Sequence, residues 1–186
     1  MSRTTRRKFL RGLGLMAAAM AQAPKVLAGS NGTRNLAFVH THTGESLATV
    51  YFEGGAYVPK ALESINVLLR DYRTGTVYPI EPQLLDRLYT LQAALGNHAA
   101  FQVICGYRSP QTNTMLRERS SGVAEHSLHM QGRAIDIRLP GVETAQLALL
   151  ARRTLAGGVG YYKASDFVHL DTGAVRNWGD AIGGES

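Results

Sequence analysis

Two histidines and one aspartate carry the most distinctive chemistry in this chain. His129 and Asp136 lie on either side of a glycine turn in residues 126–139, and His169 lies in a short downstream run, residues 167–171. Two imidazoles and one carboxylate suit zinc, and three protein ligands leave a fourth position for water. A zinc-bound water can attack an amide carbonyl. The alternative is that these histidines are buried and make ordinary hydrogen bonds.

The pattern of apolar residues indicates how the three side chains could meet. In residues 133–139 isoleucine and leucine alternate with other residues, so that the apolar face goes to the core and Asp136 points the other way. In residues 167–171 His169 likewise lies opposite a valine and a leucine. Two antiparallel strands could therefore bring the two side chains together. His129 would come from the loop before the first strand, where a glycine lets the backbone fold back.

An arginine follows an apolar run, residues 101–105, that we predict to be a buried strand. Arg108 lies between Gly106 and Pro110, which predicts a stiff loop. A guanidinium fixed there could bind a carboxylate or an oxyanion. A surface salt bridge is the alternative.

Cys105, in the same run, is the only cysteine of the chain, which excludes an intramolecular disulfide. The fold must therefore be stabilised by packing or by metal. We expect this thiol to be a small buried residue, with a redox or nucleophilic role as the alternative.

The remaining periodic segments predict a scaffold. Residues 36–40 and 47–52 are typical of a hairpin. His40 and His42 share a strand face, but no acid or cysteine accompanies them at ligand spacing, so we expect them to be structural. Apolar residues at helical spacing predict three helices, at residues 59–72, 82–95 and 143–155.

Four motifs occur together over most of residues 35–180. They are S-x-H-x-x-G-x-A-x-D at 127–136, GYRS at 106–109, GVGYY at 158–162, and FVHLDTG at 167–173 with Trp178 beyond it. Their combination resembles the D-alanyl-D-alanine metallopeptidase and hedgehog-domain superfamily. Within it, the chain is most similar to the periplasmic zinc murein endopeptidases of the murein endopeptidase K type. The resemblance implies an α+β fold, with a small antiparallel sheet flanked by helices.

The resemblance also implies an activity and the residues that perform it. Zinc would be bound by His129, Asp136 and His169, and a zinc-bound water would attack peptide crosslinks in peptidoglycan. Arg108 would lie near the carbonyl or carboxylate of the substrate, and Ser127 would also contact the substrate. The alternatives are a D-alanyl-D-alanine carboxypeptidase and a non-catalytic, zinc-containing module that binds the cell wall.

Two residues compete for the role of proton carrier. In the dipeptidases of this superfamily, a glutamate three residues before the second zinc histidine is the general base. Asp166 occupies that place here and is one methylene shorter. We expect Asp166 to be the general base, with His126 as the rival. Asp171 could hold a zinc ligand in place through a hydrogen bond.

The first 28 residues have the three-part layout of a secretory signal. Arg6 and Arg7 form a twin arginine, an apolar run follows at residues 13–20, and residues 26–28 have the small-x-small pattern of a cleavage site. The alternative is a basic amphipathic helix of the fold. The apolar run is too short to span a bilayer, so we expect no stable membrane anchor. We therefore predict twin-arginine export to the periplasm, with a signal peptide at residues 1–28 and a zinc peptidase domain over residues 29–186.

The charge of the chain is concentrated in this leader. Six of the 20 basic residues and none of the 14 acidic residues precede residue 29, so residues 29–186 carry 14 of each. A predicted domain without net charge gives no support to nucleic-acid binding, which needs a basic surface. We expect it to act as a monomer on peptidoglycan.

Overall fold

The computed structural model describes residues 32–120 and 122–182. The predicted signal peptide at residues 1–28 lies outside this part of the chain. Within these described residues, four α-helices, α1 to α4, span Pro59–Leu68, Pro82–Leu95, Pro110–Arg119 and Thr144–Arg153. The same residues form eight strands, β1 to β8, at Arg34–His40, Ser46–Glu53, Ala56–Tyr57, Phe101–Cys105, Ala134–Arg138, Gly158–Tyr162, Phe167–Asp171 and Arg176–Gly179.

The strands form one open, mixed sheet in the order β3-β2-β1-β4-β5-β7-β6-β8. The predicted α+β class is confirmed, but the sheet is larger than expected and is not purely antiparallel. Strand β4 runs parallel to β1, because α1 and α2 lie between β3 and β4 in the chain and carry it back across the sheet. Strand β8 also runs parallel to its neighbour β6.

Local signals in the sequence set the helix ends. Helix α2 matches the predicted range, with Pro82 in its first turn and Gly96 in the left-handed conformation after its last residue. Helix α1 ends at Leu68, earlier than predicted. Beyond it, Asp71 donates its N–H to the Thr76 carbonyl and accepts from the Gly75 N–H, which turns the chain out of the helix.

The core lies between the sheet and its helices. Helix α1 packs on β2, α2 on β1, and α4 on β6 and β7. The predicted alternation in β5 is present, since Ile135 and Ile137 are fully buried and pair with Leu170 and Val168 of β7. Among the helices of the described residues, none combines the length and the apolar character needed to cross a bilayer.

Candidate metal centre

Asp136 and His169 lie directly opposite each other on the antiparallel strands β5 and β7. Opposed residues of such a pair project to the same face of the sheet, so the two side chains meet. Asp136 Oδ1 lies 2.8 Å from His169 Nδ1. The strand pairing inferred from alternation alone therefore agrees with the observed register.

His129 reaches the same point from a short 3₁₀ turn, Leu128–Gln131, which precedes β5. Gly132 ends the turn with φ +65°, and a Cβ there would lie 2.0 Å from the Pro79 carbonyl oxygen. Only glycine fits this reversal without strain or clash. The turn brings His129 Nε2 to 3.2 Å from His169 Nδ1 and 3.3 Å from Asp136 Oδ1.

The outer nitrogens of both imidazoles face hydrogen-bond acceptors. His129 Nδ1 lies 2.8 Å from the Gly106 carbonyl oxygen, and His169 Nε2 lies 3.1 Å from Asp171 Oδ2. A carbonyl or carboxylate oxygen can only accept, so in the neutral rings the proton sits on these outer nitrogens. The inner nitrogens then turn their lone pairs towards each other and towards Asp136 Oδ1.

This triangle of donor atoms fits a divalent metal ion. Its sides measure 2.8, 3.2 and 3.3 Å. Ligands at about 2.0–2.2 Å from a tetrahedral ion lie roughly 3.3–3.6 Å apart, so small shifts would complete the coordination. His129 and Asp136 are only 2% and 6% exposed, and buried acceptors that face one another need a cation or protons between them.

The pKa shifts of His129 and Asp136 also indicate that the cluster favours a positive charge. Burial opposes protonation of His129, but the Asp136 carboxylate outweighs it and raises the pKa of His129 to about 10. Burial likewise opposes ionisation of Asp136, but His129 outweighs it and holds the pKa of that carboxyl well below its usual range. The site thus favours a positive charge beside an ionised carboxylate.

Asp171 holds the outer side of His169. Its fully buried carboxylate accepts hydrogen bonds from the Gly158 N–H at 3.1 Å and the Gly173 N–H at 2.8 Å. Arg176 donates to it through both terminal nitrogens, at 3.1 and 2.6 Å. Burial opposes ionisation, but His169 and Arg176 outweigh it and lower the pKa of Asp171. The side chain is therefore an ionised, well-fixed partner for the imidazole.

Arg108 lies beside the cluster rather than on the surface. Its backbone N–H donates to the His129 carbonyl over 3.2 Å, and its side-chain Nη2 lies 3.8 Å from Asp136 Oδ2. The side chain is 13% exposed, and its buried Nε has no hydrogen-bond partner within the described part of the chain. The guanidinium therefore keeps donor capacity for a bound molecule.

Asp71 supports the loop that carries Arg108, and no local pattern in the sequence predicts this contact. Its carboxylate accepts from the Ser109 hydroxyl at 2.6 Å and from the Ser109 N–H at 2.9 Å. Burial opposes ionisation, but these bonds outweigh it and lower the pKa of Asp71 to about 2. Nearby, a Cβ on Gly106 would lie 2.6 Å from the Leu69 carbonyl oxygen, so the loop packs tightly against the end of α1.

Cys105 is a second residue whose position the sequence did not reveal. Its sulfur, a ring nitrogen of His129 and a carboxylate oxygen of Asp136 all lie within 4.8 Å of one another. Arg108 Nη2 lies 3.5 Å from the sulfur. The residue is half-buried rather than fully buried as expected, and it adjoins the candidate metal centre rather than apolar side chains alone.

A cleft with a volume of about 520 Å³ opens over the cluster. One wall is aromatic, with Trp178 Nε1 donating to the Tyr162 hydroxyl at 2.9 Å and Tyr162 stacked on Phe167 at 4.6 Å between ring centroids. The ring of Trp178 lies 5.1 Å from that of His169. A Cβ on Gly160 would lie 2.7 Å from the indole, so the absence of a side chain at this position leaves room for the ring.

The opposite wall contains two residues named from the sequence. His126 is exposed and lines the cleft. Ser127 also lines it, but its hydroxyl accepts the His129 N–H at 3.3 Å and so caps the turn that carries this histidine.

Asp166, expected first as the general base, is directed away from the cleft. Its residue has φ +50°, and its carboxylate accepts from the Thr144 hydroxyl at 2.9 Å and pairs with Arg138 at 3.4 Å. It lines a separate pocket with these partners. The expectation that Asp166 lies at the metal centre is therefore wrong, because the left-handed turn before β7 directs its side chain towards Arg138.

The chain matches the family described as peptidoglycan L,D-endopeptidase MepK over residues 28–178. It is 41% identical over 175 residues to the peptidoglycan L,D-endopeptidase MepK of Escherichia coli strain K12. The aligned region covers 93% of this chain and 96% of that protein. The protein of the same name from Shigella flexneri shows the same identity and coverage. A probable peptidoglycan L,D-endopeptidase MepK from Haemophilus influenzae is 41% identical over 161 residues, covering 86% of this chain and 83% of that protein.

Proposed function

Since this chain belongs to the peptidoglycan L,D-endopeptidase MepK family, we propose that it is an exported zinc peptidase that hydrolyses peptide crosslinks in peptidoglycan. The family confirms the sequence prediction of a peptidoglycan-cleaving peptidase. The observation that carries the metal-dependent part is the inward-facing triangle of His129, Asp136 and His169 at the cleft. These residues are the proposed ligands.

Zinc is the proposed ion because two imidazole nitrogens and one carboxylate oxygen form a donor set that it commonly takes in catalytic sites. Bound there, zinc would lower the pKa of water towards neutrality and polarise a carbonyl oxygen. Asp171 keeps the Nδ1 lone pair of His169 directed inward, and the Gly106 carbonyl does the same for Nε2 of His129.

Arg108 is the proposed group that binds the carbonyl or carboxylate of the substrate. Its guanidinium lies within 4 Å of the carboxylate of Asp136 and is held by the loop that Asp71 fixes. A cation in a fixed, largely buried position stabilises negative charge more strongly than one in water. Arg108 therefore orients the scissile bond over the ligand cluster and stabilises charge that develops on its oxygen.

His126 is the proposed proton carrier in place of Asp166. It lines the cleft beside Ser127, whereas Asp166 is paired with Arg138 in another pocket. An imidazole can accept a proton at one nitrogen and return it to the leaving amine. Ser127 then acts through His129, whose turn it caps, and contacts the substrate from the cleft wall.

The aromatic wall is the proposed contact for the apolar part of the stem peptide. Trp178 and Phe167 both line the cleft and are joined through Tyr162. Rigid rings lose little conformational entropy when a ligand packs on them. The wall therefore favours binding of extended peptide next to the ligand cluster.

Export follows from a substrate that lies outside the cytoplasm. The twin-arginine route, proposed from Arg6 and Arg7, rests on residues that the structure does not describe. Its test is the N-terminus of exported protein, which we expect to begin after Ala28. Recovery of exported protein that still carries the two arginines would contradict this cleavage.

The test of the whole proposal uses the mature protein and defined crosslinked muropeptides. We expect cleavage products by mass spectrometry, their loss with a zinc chelator, and their return with added zinc. A His169→Ala variant that folds, judged by circular dichroism, serves as the control and should give no products. Cleavage that persists unchanged in the chelator would overturn the zinc mechanism, and absence of cleavage in all conditions would overturn the activity.

A further inference from the structure

A β-bulge at the end of β4 places Cys105 on the same face as the candidate metal ligands. Val103 pairs with Ile137, and Cys105 pairs with Asp136, with a register shift between the two pairs. In regular antiparallel pairing Cys105 would lie opposite residue 135, whose side chain is in the core. Bulges of this kind re-aim a side chain and are common beside active sites.

The bulge brings sulfur close to two buried donors. The sulfur of Cys105, a ring nitrogen of His129 and a carboxylate oxygen of Asp136 lie within 4.8 Å of one another. Zinc–sulfur bonds of about 2.3 Å and zinc–nitrogen or zinc–oxygen bonds of about 2.0–2.2 Å put donors on one ion roughly 3.3–3.7 Å apart. Movements on the order of 1 Å would therefore let the sulfur bind the same ion.

The environment of the sulfur and of its neighbours also suits a metal ligand. Arg108 Nη2 donates towards Cys105 Sγ over 3.5 Å, so the sulfur faces polar side chains of the site and acts there as an acceptor. Independently of Cys105, Nε2 of the buried His129 and Oδ1 of the buried Asp136 lie 3.3 Å apart, and both are acceptors when the ring carries its proton on Nδ1. A cation bound between them would compensate this contact.

We propose that Cys105 is a sulfur ligand to the metal ion bound by His129 and Asp136. The inference rests on the metal-dependent function proposed above. Binding breaks the S–H bond, transfers its proton to solvent water and forms a metal–sulfur bond, with no change of oxidation state. A fourth protein ligand closes the position that catalytic sites leave to water, so the sulfur-bound form is a resting state. The open form has the sulfur paired with Arg108 instead.

Cobalt(II) in place of zinc tests the inference by absorption rather than by activity. Sulfur bound to cobalt(II) gives an intense charge-transfer band in the near ultraviolet, whereas weaker visible bands arise with any ligand set. We expect both kinds of band in the mature protein loaded with one equivalent of cobalt. Cys105→Ser should lose the near-ultraviolet band and keep the visible ones, because His129, Asp136 and His169 remain.

Alkylation provides a measurement that needs no substitution. Iodoacetamide forms a carbon–sulfur bond with the thiolate and releases iodide, and the single cysteine makes the product countable by mass. We expect zinc to slow this reaction in the native protein and to have no such effect after unfolding. Equal rates with and without zinc would overturn the inference.

The outcomes separate the inference from the function on which it rests. Visible cobalt bands without a near-ultraviolet band would overturn the role of Cys105 and leave the metal centre in place. A near-ultraviolet band that Cys105→Ser retains would also overturn it. No cobalt bands of either kind would overturn both the metal centre and the sulfur ligand.

Discussion

The Nε2–H of His169 donates a hydrogen bond to the carboxylate of Asp171 across 3.1 Å. This bond fixes which nitrogen of the ring faces Asp136, because Asp171 is fully buried and held by Arg176 and by two backbone N–H groups. An aspartate two residues along the same strand thus sets the protonation of the candidate ligand. Loss of that acceptor should change metal binding without removing any ligand.

Asp171→Asn tests this relationship. An amide can present its NH₂ group to Nε2, which favours the tautomer whose proton lies on Nδ1 and blocks the inward lone pair. We expect zinc affinity to fall by about 10- to 100-fold in a competition titration with a chromophoric chelator. Asp180→Asn, which alters an exposed aspartate, is the control and should bind zinc as the wild type does. Unchanged affinity in Asp171→Asn would contradict the role of the bond.

Arg108→Lys tests the proposed substrate contact. Lysine keeps the charge but not the planar fork, so the oxygen of the scissile bond loses a positioned donor. We expect kcat to fall by roughly 10²-fold or more, with one zinc still bound per chain by elemental analysis. Arg117→Lys, in an exposed pair with Glu125, is the matched control and should keep full activity. Near-normal kcat in Arg108→Lys would remove the guanidinium from the proposed mechanism.

The two strands that carry Asp136 and His169 could be predicted because the pattern that reveals each strand lies within a few consecutive residues. Asp136 and His169 alternate with core residues, and alternation alone tells which face of a strand they share. The observed pairing of these two residues agrees with that expectation. The family, its activity and the α+β class could also be predicted from the sequence, because each of the four motifs that resemble the family is a short, contiguous segment.

The support around the ligands depends on contacts between distant parts of the chain. Asp71 meets Ser109 from 38 residues away, and no periodicity signals that contact. The bulge that re-aims Cys105 depends on the register against β5, which one strand cannot specify by itself. The direction of the Asp166 side chain could not be predicted, because its left-handed φ of +50° is uncommon among residues other than glycine.

Gly132→Ala should destabilise the protein strongly. The added Cβ would lie 2.0 Å from the Pro79 carbonyl oxygen, and the residue has φ +65°. We expect strain and clash together to lower the free energy of unfolding by at least about 2 kcal/mol, measured by urea denaturation. Gly44→Ala is the matched control, since φ is +72° there but no atom lies within 4 Å of the new Cβ. Its cost should be about 1 kcal/mol, and equal losses in the two variants would contradict the close approach at Pro79.

Asp71→Asn should reduce stability in a way that depends on pH. The folded protein lowers the pKa of Asp71 from about 3.8 to about 2, so the ionised carboxylate stabilises the fold above pH 4 and loses this effect as pH falls towards 2. We expect the variant to be less stable by about 2 kcal/mol at neutral pH, because hydrogen bonds to a charged group are lost. The difference should shrink as urea denaturation is repeated below pH 4. A difference that grows on acidification would contradict the lowered pKa.

Metal binding should quench the fluorescence of Trp178. The chain has one tryptophan, and its ring lies 5.1 Å from that of His169, so the signal comes from beside the ligand cluster. We expect added cobalt(II), which quenches at short range, to lower the emission until one equivalent is bound. His169→Ala should abolish this saturable step, because it removes a ligand and leaves the indole in place. His98→Ala, which removes a histidine that does not line the cleft, is the control and should quench as the wild type does. Saturable quenching that survives in His169→Ala would place the bound ion elsewhere in the protein.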